Sequence, residues 1–215
     1  MKEKTGQVFR ISQDNQPIAG CTVSRAAIDG DNAVIYFSLA KNTDISAEIF
    51  PYHKLIIMSA GTLEVYGGNT ARLGEGEFCI APAGTAAGMR TADGAVYTEI
   101  QIRRTDFMND SISAGKAFSL AELVPYQQGR IVNMDIMHND KMKFVVMAFD
   151  EGTGLSEHAA PGEALIFALD GEGVITYEGT EHKITAGENF CFAKGGLHSV
   201  RADKKFKMAL LLTLE

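Results

Sequence analysis

Apolar residues along this chain fall into short runs, alternating or continuous, separated by Gly, Asp, Asn and Pro punctuation. VIYFSL (34–39), FVVMAF (144–149), 164–169 closed by Asp170-Gly171, 174–177 closed by Glu178-Gly179 and 206–214 at the end are examples. Runs this short with a period near two fit strands and leave little room for helical periodicity. The pattern predicts an all-β protein. One helix is expected at 119–123, where Ser119 and Glu122 have capping-box spacing.

The pattern also repeats. A shift of 110 sets ISAEIFPYHKLIIMSAG (45–61) on LSEHAAPGEALIFALDG (155–171), aligning Ser46 with Ser156, Pro51 with Pro161, Leu55 with Leu165 and Gly61 with Gly171. A shift of 111 pairs LGEGEFCIAPAG (73–84) with ITAGENFCFAKG (184–195). A period of this length suits two domains rather than solenoid units. The polar, Gly-containing stretch 106–116 is the natural linker, and closing each set of strands into a barrel or jelly roll removes exposed edges.

Composition narrows the classes. The 215 residues are 46% apolar and 22% charged, an ordinary folded composition, and long enough for one large core or two smaller ones. Three dispersed cysteines (Cys21, Cys79, Cys191) form no CxxC pair, so neither a disulfide framework nor a thiolate zinc site is indicated. MKEKTGQVFR lacks the apolar run of a signal peptide, and a reducing, cytoplasmic setting is expected. The longest apolar stretches are too short to span a bilayer, so no membrane partner is expected. A net charge of −7 argues against nucleic acid, and RADKKFK (201–207) reads as a solvated strand flank.

The stretch 152–214, from GTGLSEHAAPGEALIFALDGEGVITYEG through ENFCFAKGGLHSV, resembles the cupin family of conserved-barrel proteins. FSLAELVPYQQGRIVNMDI (118–136) resembles the lead-in of its single-domain members. With the repeat, the resemblance implies two tandem cupin barrels (double-stranded β-helix, jelly roll) with a few short helices. Residues 1–108 would form a degenerate N-terminal barrel and 109–215 the C-terminal one, making the chain a bicupin.

Two cupin motifs, HxH followed by Glu and PxGxxH, supply three His and one Glu to a divalent metal. Here AKGGLH (193–198) keeps Gly195 and His198, while Ser156-Glu157-His158 replaces the first histidine by serine and Glu163 follows. The resemblance implies His158, His198 and Glu163 as metal ligands, with Zn, Ni, Fe or Mn as candidates, and Ser156, Phe167 and Phe192 around the pocket. Two imidazoles with one carboxylate leave coordination positions open for a ligand. Glu163 stands one residue early, so it reaches the interior only if the 160–162 turn or a bulge resets the strand phase. Without it, two histidines could equally hydrogen-bond a water or an organic ligand.

The same columns in the first repeat read Glu48, His53 and Ala87, an exchanged acid and imidazole that could line a different pocket with Ile49, Phe50 and Met58. His182 is expected on an exposed strand face and His138 in a loop. The function implied is binding of a small organic molecule, with a divalent metal, in the C-terminal barrel. As an enzyme, the resemblance allows a dioxygenase, isomerase or decarboxylase, and no catalytic residue is singled out. The alternative is a non-catalytic, metal-free binding or sensor protein. Exposed edges and apolar barrel faces are compatible with a homodimer.

Overall fold

The computed structural model describes residues 1–30 and 32–214, nearly all of it antiparallel strand. In chain order the elements are β1 (Val8–Phe9), a one-turn helix α1 (Ile11–Asp14), β2 (Thr22–Ile28), β3 (Val34–Leu39), β4 (Thr43–Ile49), β5 (Tyr52–Gly61), β6 (Leu63–Gly67), β7 (Ala71–Leu73), β8 (Glu77–Ala81), β9 (Ala86–Thr91) and β10 (Ala95–Arg103). There follow β11 (Phe107–Met108), β12 (Phe118–Ser119), β13 (Ile131–His138), β14 (Met142–Phe149), β15 (Gly154–Ala159), β16 (Ala164–Tyr177), β17 (Thr180–Thr185), β18 (Asn189–Phe192), β19 (Leu197–Arg201) and β20 (Phe206–Thr213). Among the described residues no helix is long and apolar enough to cross a membrane.

The chain forms two compact units. The first comprises Met1–Lys2, Ile11–Asp106 and Asp110–Ser119; the second comprises Glu3–Arg10, Phe107–Asn109 and Leu120–Glu215. Within the stretch expected to be a linker, residues 107–109 therefore pack with the second unit and 110–119 with the first. In the first unit a six-stranded sheet, ordered β12-β8-β5-β10-β3-β2, accompanies a four-stranded one, β4-β9-β6-β7. The second unit runs β1-β18-β16-β20-β14-β13-β11, with β15, β17 and β19 joined through β16.

Alternation decides which side chains each unit encloses. In β16, Ala164, Ile166 and Ala168 point into a buried cluster with Phe149, Phe190, Phe192 and Val200. In β5, Ile56 and Met58 point into the corresponding cluster with Leu39, Met89 and Tyr97. Phe190 and Phe192, fully buried aromatic rings, each remove enough apolar surface from water to contribute about 1.5–3 kcal/mol.

The helix expected at 119–123 is shortened. Ser119 joins the ladder opposite Glu77, so it does not cap, and only a 3-10 turn forms over Leu120–Glu122. Pro125 bars a continuation by biasing Val124 away from helical angles.

Candidate functional site

In the second unit β15 pairs with β19, and a bulge sits between Leu155 and His158. Leu155 lies opposite Val200 and His158 opposite His198, so Ser156 and Glu157 together face one residue of β19. The extra residue matters. Leu155 packs against the interior cluster and Val200 belongs to it, so the bulge brings His158 onto that same face beside His198.

The two imidazoles are neighbours, with ring centroids 4.3 Å apart and planes inclined by 53°. His198 is buried and stacks on Phe192 at 4.1 Å, while His158 is exposed. Each ring is held by its own strand: His158 Nδ1 lies 2.8 Å from the Ser156 carbonyl, and His198 Nδ1 lies 3.1 Å from the Gly196 carbonyl. A carbonyl oxygen only accepts, so both Nδ1 atoms carry the proton and donate. In the neutral rings this leaves each Nε2 as a lone-pair acceptor. Burial pushes the His198 pKa below its ordinary value, and His158 adds to the shift, against the Gly196 hydrogen bond that favours the charged ring.

Tyr177, opposite His198 on β16, extends the aromatic wall. Its ring lies 5.6 Å from Phe192 and 5.9 Å from Phe190, and its Oη accepts the Ala193 N–H at 3.4 Å. His182, expected to be exposed, is half-buried 5.1 Å from Phe190, because its partner across the ladder is the core residue Ile175. His138, expected in a loop, ends β13, and its Nδ1 lies 3.9 Å from Asp135. Tyr177 was missed by sequence reasoning, although its position two residues beyond the apolar Ile175 was a usable signal.

The remaining expected residues are dispersed. The Glu163 main chain is held by Thr213, whose N–H reaches the Glu163 carbonyl at 2.8 Å and whose side-chain Oγ1 accepts the Glu163 N–H at 3.0 Å. It thus continues the β16–β20 ladder in phase, and alternation from the inward Ala164 assigns Glu163 to the opposite face. The same alternation turns Phe167 away from the imidazoles, edge-on to Phe144 at 6.3 Å. Ser156 contributes its carbonyl to His158.

No three His, Cys, Asp or Glu side chains among the described residues are grouped as a metal ion would require. Metal centres of this kind use three or more protein ligands, so two imidazoles do not by themselves fit a resident divalent metal. What they can do is accept hydrogen bonds, or a proton, from a bound molecule.

In the first unit Glu48 lies opposite Ala87, beside a bulge between Ile45 and Glu48 like that in β15. His53 does not join it. Its Nδ1 accepts the Ala83 N–H at 3.1 Å, so the ring anchors the turn after β8, and alternation sets it on the face opposite Ile56 and Met58. Burial, with Arg104 nearby, holds the His53 pKa low, opposed by Asp106. Ile49 is 69% exposed and Met58 is core, so they line no common pocket. Burial pushes the thiols of Cys79 and Cys191 up to about 12, consistent with inert packing positions.

Comparison with known proteins places this geometry. A family model described as "Cupin domain" matches residues 145–214. A cupin 2 conserved barrel domain protein from Leptotrichia buccalis is 27% identical, covers 99% of this chain and 98% of its own, and superposes with a TM-score of 0.87. Salicylate 1,2-dioxygenase from Pseudoaminobacter salicylatoxidans, solved with gentisate, is 11% identical over 96% of this chain and 80% of its own, with a TM-score of 0.66. A Bacillus subtilis oxalate decarboxylase variant is 12% identical, covers 99% of this chain and 78% of its own, and has a TM-score of 0.55. A search of curated proteins finds no match. The cupin-domain match over residues 145–214, with the all-β architecture and the barrel protein aligned along nearly the whole chain, identifies the C-terminal part of this protein as a cupin domain within a cupin-like fold.

Proposed function

We propose that the chain is a bicupin whose C-terminal barrel binds a small hydroxylated organic molecule at His158 and His198. One observation carries this reading: both Nδ1–H groups are spent on main-chain carbonyls, leaving an Nε2 acceptor on each of two rings whose centroids are 4.3 Å apart, with His198 stacked on Phe192. An imidazole acceptor out of bulk water is best paired with a donor, and a ligand with hydroxyl groups supplies that donor. Phe192 and Tyr177 offer apolar faces for its carbon skeleton. A neutral His198 can also take a proton from an acidic hydroxyl, so the pair serves binding first and proton transfer second. Gentisate, bound by a structural neighbour, is the first compound to try because it carries phenolic hydroxyls on an aromatic ring.

The test is histidine ring-carbon NMR during titration with gentisate and catechol, with elemental analysis of the same protein. Saturable shifts of His158 and His198, lost in His198→Ala, support the reading. Binding that leaves both signals unmoved, or that survives in the variant, overturns it. Near-stoichiometric metal that is lost in His198→Ala would replace it with a metal centre completed by donors from outside the protein.

A further inference from the structure

The interior ladders of the two units match position by position, yet differ in chemistry at one end. Ile56 faces Glu99, and Lys54 faces Gln101 and Ala81, as Ile166 faces Leu210 and Ala164 faces Leu212 and Phe192. Three apolar positions of the second unit, Ala164, Leu210 and Leu212, are thus Lys54, Glu99 and Gln101 in the first. The fold is satisfied by apolar side chains there, so the charges serve something other than the fold.

Lys54 Nζ lies 3.3 Å from Glu99 Oε2, with side-chain exposures of 9% and 2%, and sits over the Phe50 ring at 3.7 Å. Gln101 Nε2 donates to the other Glu99 oxygen at 3.2 Å. Beside this pair Tyr97, fully buried and two residues before Glu99 on the same strand face, stacks on Phe37 at 5.0 Å. Its Oη has no hydrogen-bond partner among the described residues. Burial, then the Glu99 charge, holds the Tyr97 pKa well above its ordinary value, so the hydroxyl keeps its proton and remains a donor. Phe37, Phe50 and Tyr52 are the half-buried members of the cluster and bring it to the surface.

We propose that this end of the first unit is a second ligand site, for an uncharged small molecule that presents a carbonyl, amide or hydroxyl oxygen to Lys54 and Tyr97. Its apolar body lies against Phe37 and Phe50. The ligand is uncharged because Lys54 and Glu99 already balance, and a further charge would be buried without a partner. The unpaired Tyr97 hydroxyl is the group that an acceptor oxygen satisfies. The site shares no residue with the imidazole pair.

The experiment uses protein labelled at the tyrosine ring carbon that bears oxygen, with Tyr97 assigned from Tyr97→Phe. Benzamide, acetophenone and benzyl alcohol are titrated beside charged benzoate and benzylammonium. At least one uncharged probe should shift Tyr97 saturably, with the charged probes weaker by ~10-fold or more. The double variant Lys54→Met with Glu99→Leu, which copies the apolar ends of the second unit, should unfold cooperatively and bind that probe ~10-fold more weakly. The proposal is overturned if no uncharged probe moves Tyr97, if a charged probe binds as tightly, or if the folded double variant binds like the wild type.

Discussion

Tyr177 lies so close to the α-carbon of Gly196 that a β-carbon built there would stand 2.6 Å from the ring. The Gly196 carbonyl also receives the His198 Nδ1–H, so one glycine sets both the aromatic wall and the imidazole. Gly196→Ala should displace the Tyr177 ring and lower stability by about 1–3 kcal/mol, as overpacking does elsewhere. Urea unfolding checks this, and an unchanged midpoint would show that the contact relaxes without cost.

Acid should weaken the fold through two histidines. His198 and His53 both have pKa values below the ordinary 6.5, mainly through burial, so the unfolded chain binds more protons than the native one in that region. Where the unfolded state binds more protons, stability rises with pH. Their contribution is therefore intact above about pH 7.5, begins to fall as the pH drops through the ordinary imidazole range, and is lost below the native values. The urea midpoint should follow this course, and a His198→Gln, His53→Gln variant should show a shallower fall. Identical profiles for the two proteins would refute the assignment.

The Lys54–Glu99 pair predicts an asymmetric cycle. Removing one partner, in Lys54→Met or Glu99→Leu, strands a buried charge and should cost about 3–5 kcal/mol. Removing both should cost far less than the sum and come out near neutral. Additive losses in thermal or urea unfolding would mean that the two charges are not coupled.

Gly61 and Gly171 occupy corresponding bends, at φ of +77° and +70°. A β-carbon would meet the Gly94 carbonyl oxygen at 2.1 Å in the first and the Lys205 carbonyl oxygen at 1.9 Å in the second. Alanine at either position combines a left-handed conformation with backbone collision, and each variant should lose more than about 1 kcal/mol. A loss at one site without the other in urea unfolding would show that the two bends do different work.

Much of this was legible in the chain because strands enclosed by a core advertise their period. The apolar runs of β16 could be read directly, as could the likeness of VIYFSL to FVVMAF, but Asp170-Gly171, expected to close a strand, lies inside the continuous strand Ala164–Tyr177. The closeness of His158 and His198 was an expectation from the cupin resemblance, whose two short motifs converge inside the barrel. What escaped was phase and distance along the chain. The bulge at Ser156-Glu157 inserts one residue that no composition signal marks, whereas Glu163 and Phe167 keep the unbroken alternation that turns them outward. His53 looked like a ligand because its residue type suits one, but a main-chain N–H in the turn after β8 claims its ring nitrogen. Lys54 and Glu99 lie on different strands, and only the register of β5 against β10 brings them together.

The pairing of Val8 with Phe190 and Phe9 with Asn189, reinforced by the Arg10–Glu188 contact across 178 positions, carries a consequence for biogenesis. β1 waits for its neighbour until the intervening strands β2 to β17 have been synthesised. Loop closure over that span is slow, so this pairing should be among the last of the second unit's to form, with β18 presenting an open edge until Val8 and Phe9 return to cover it.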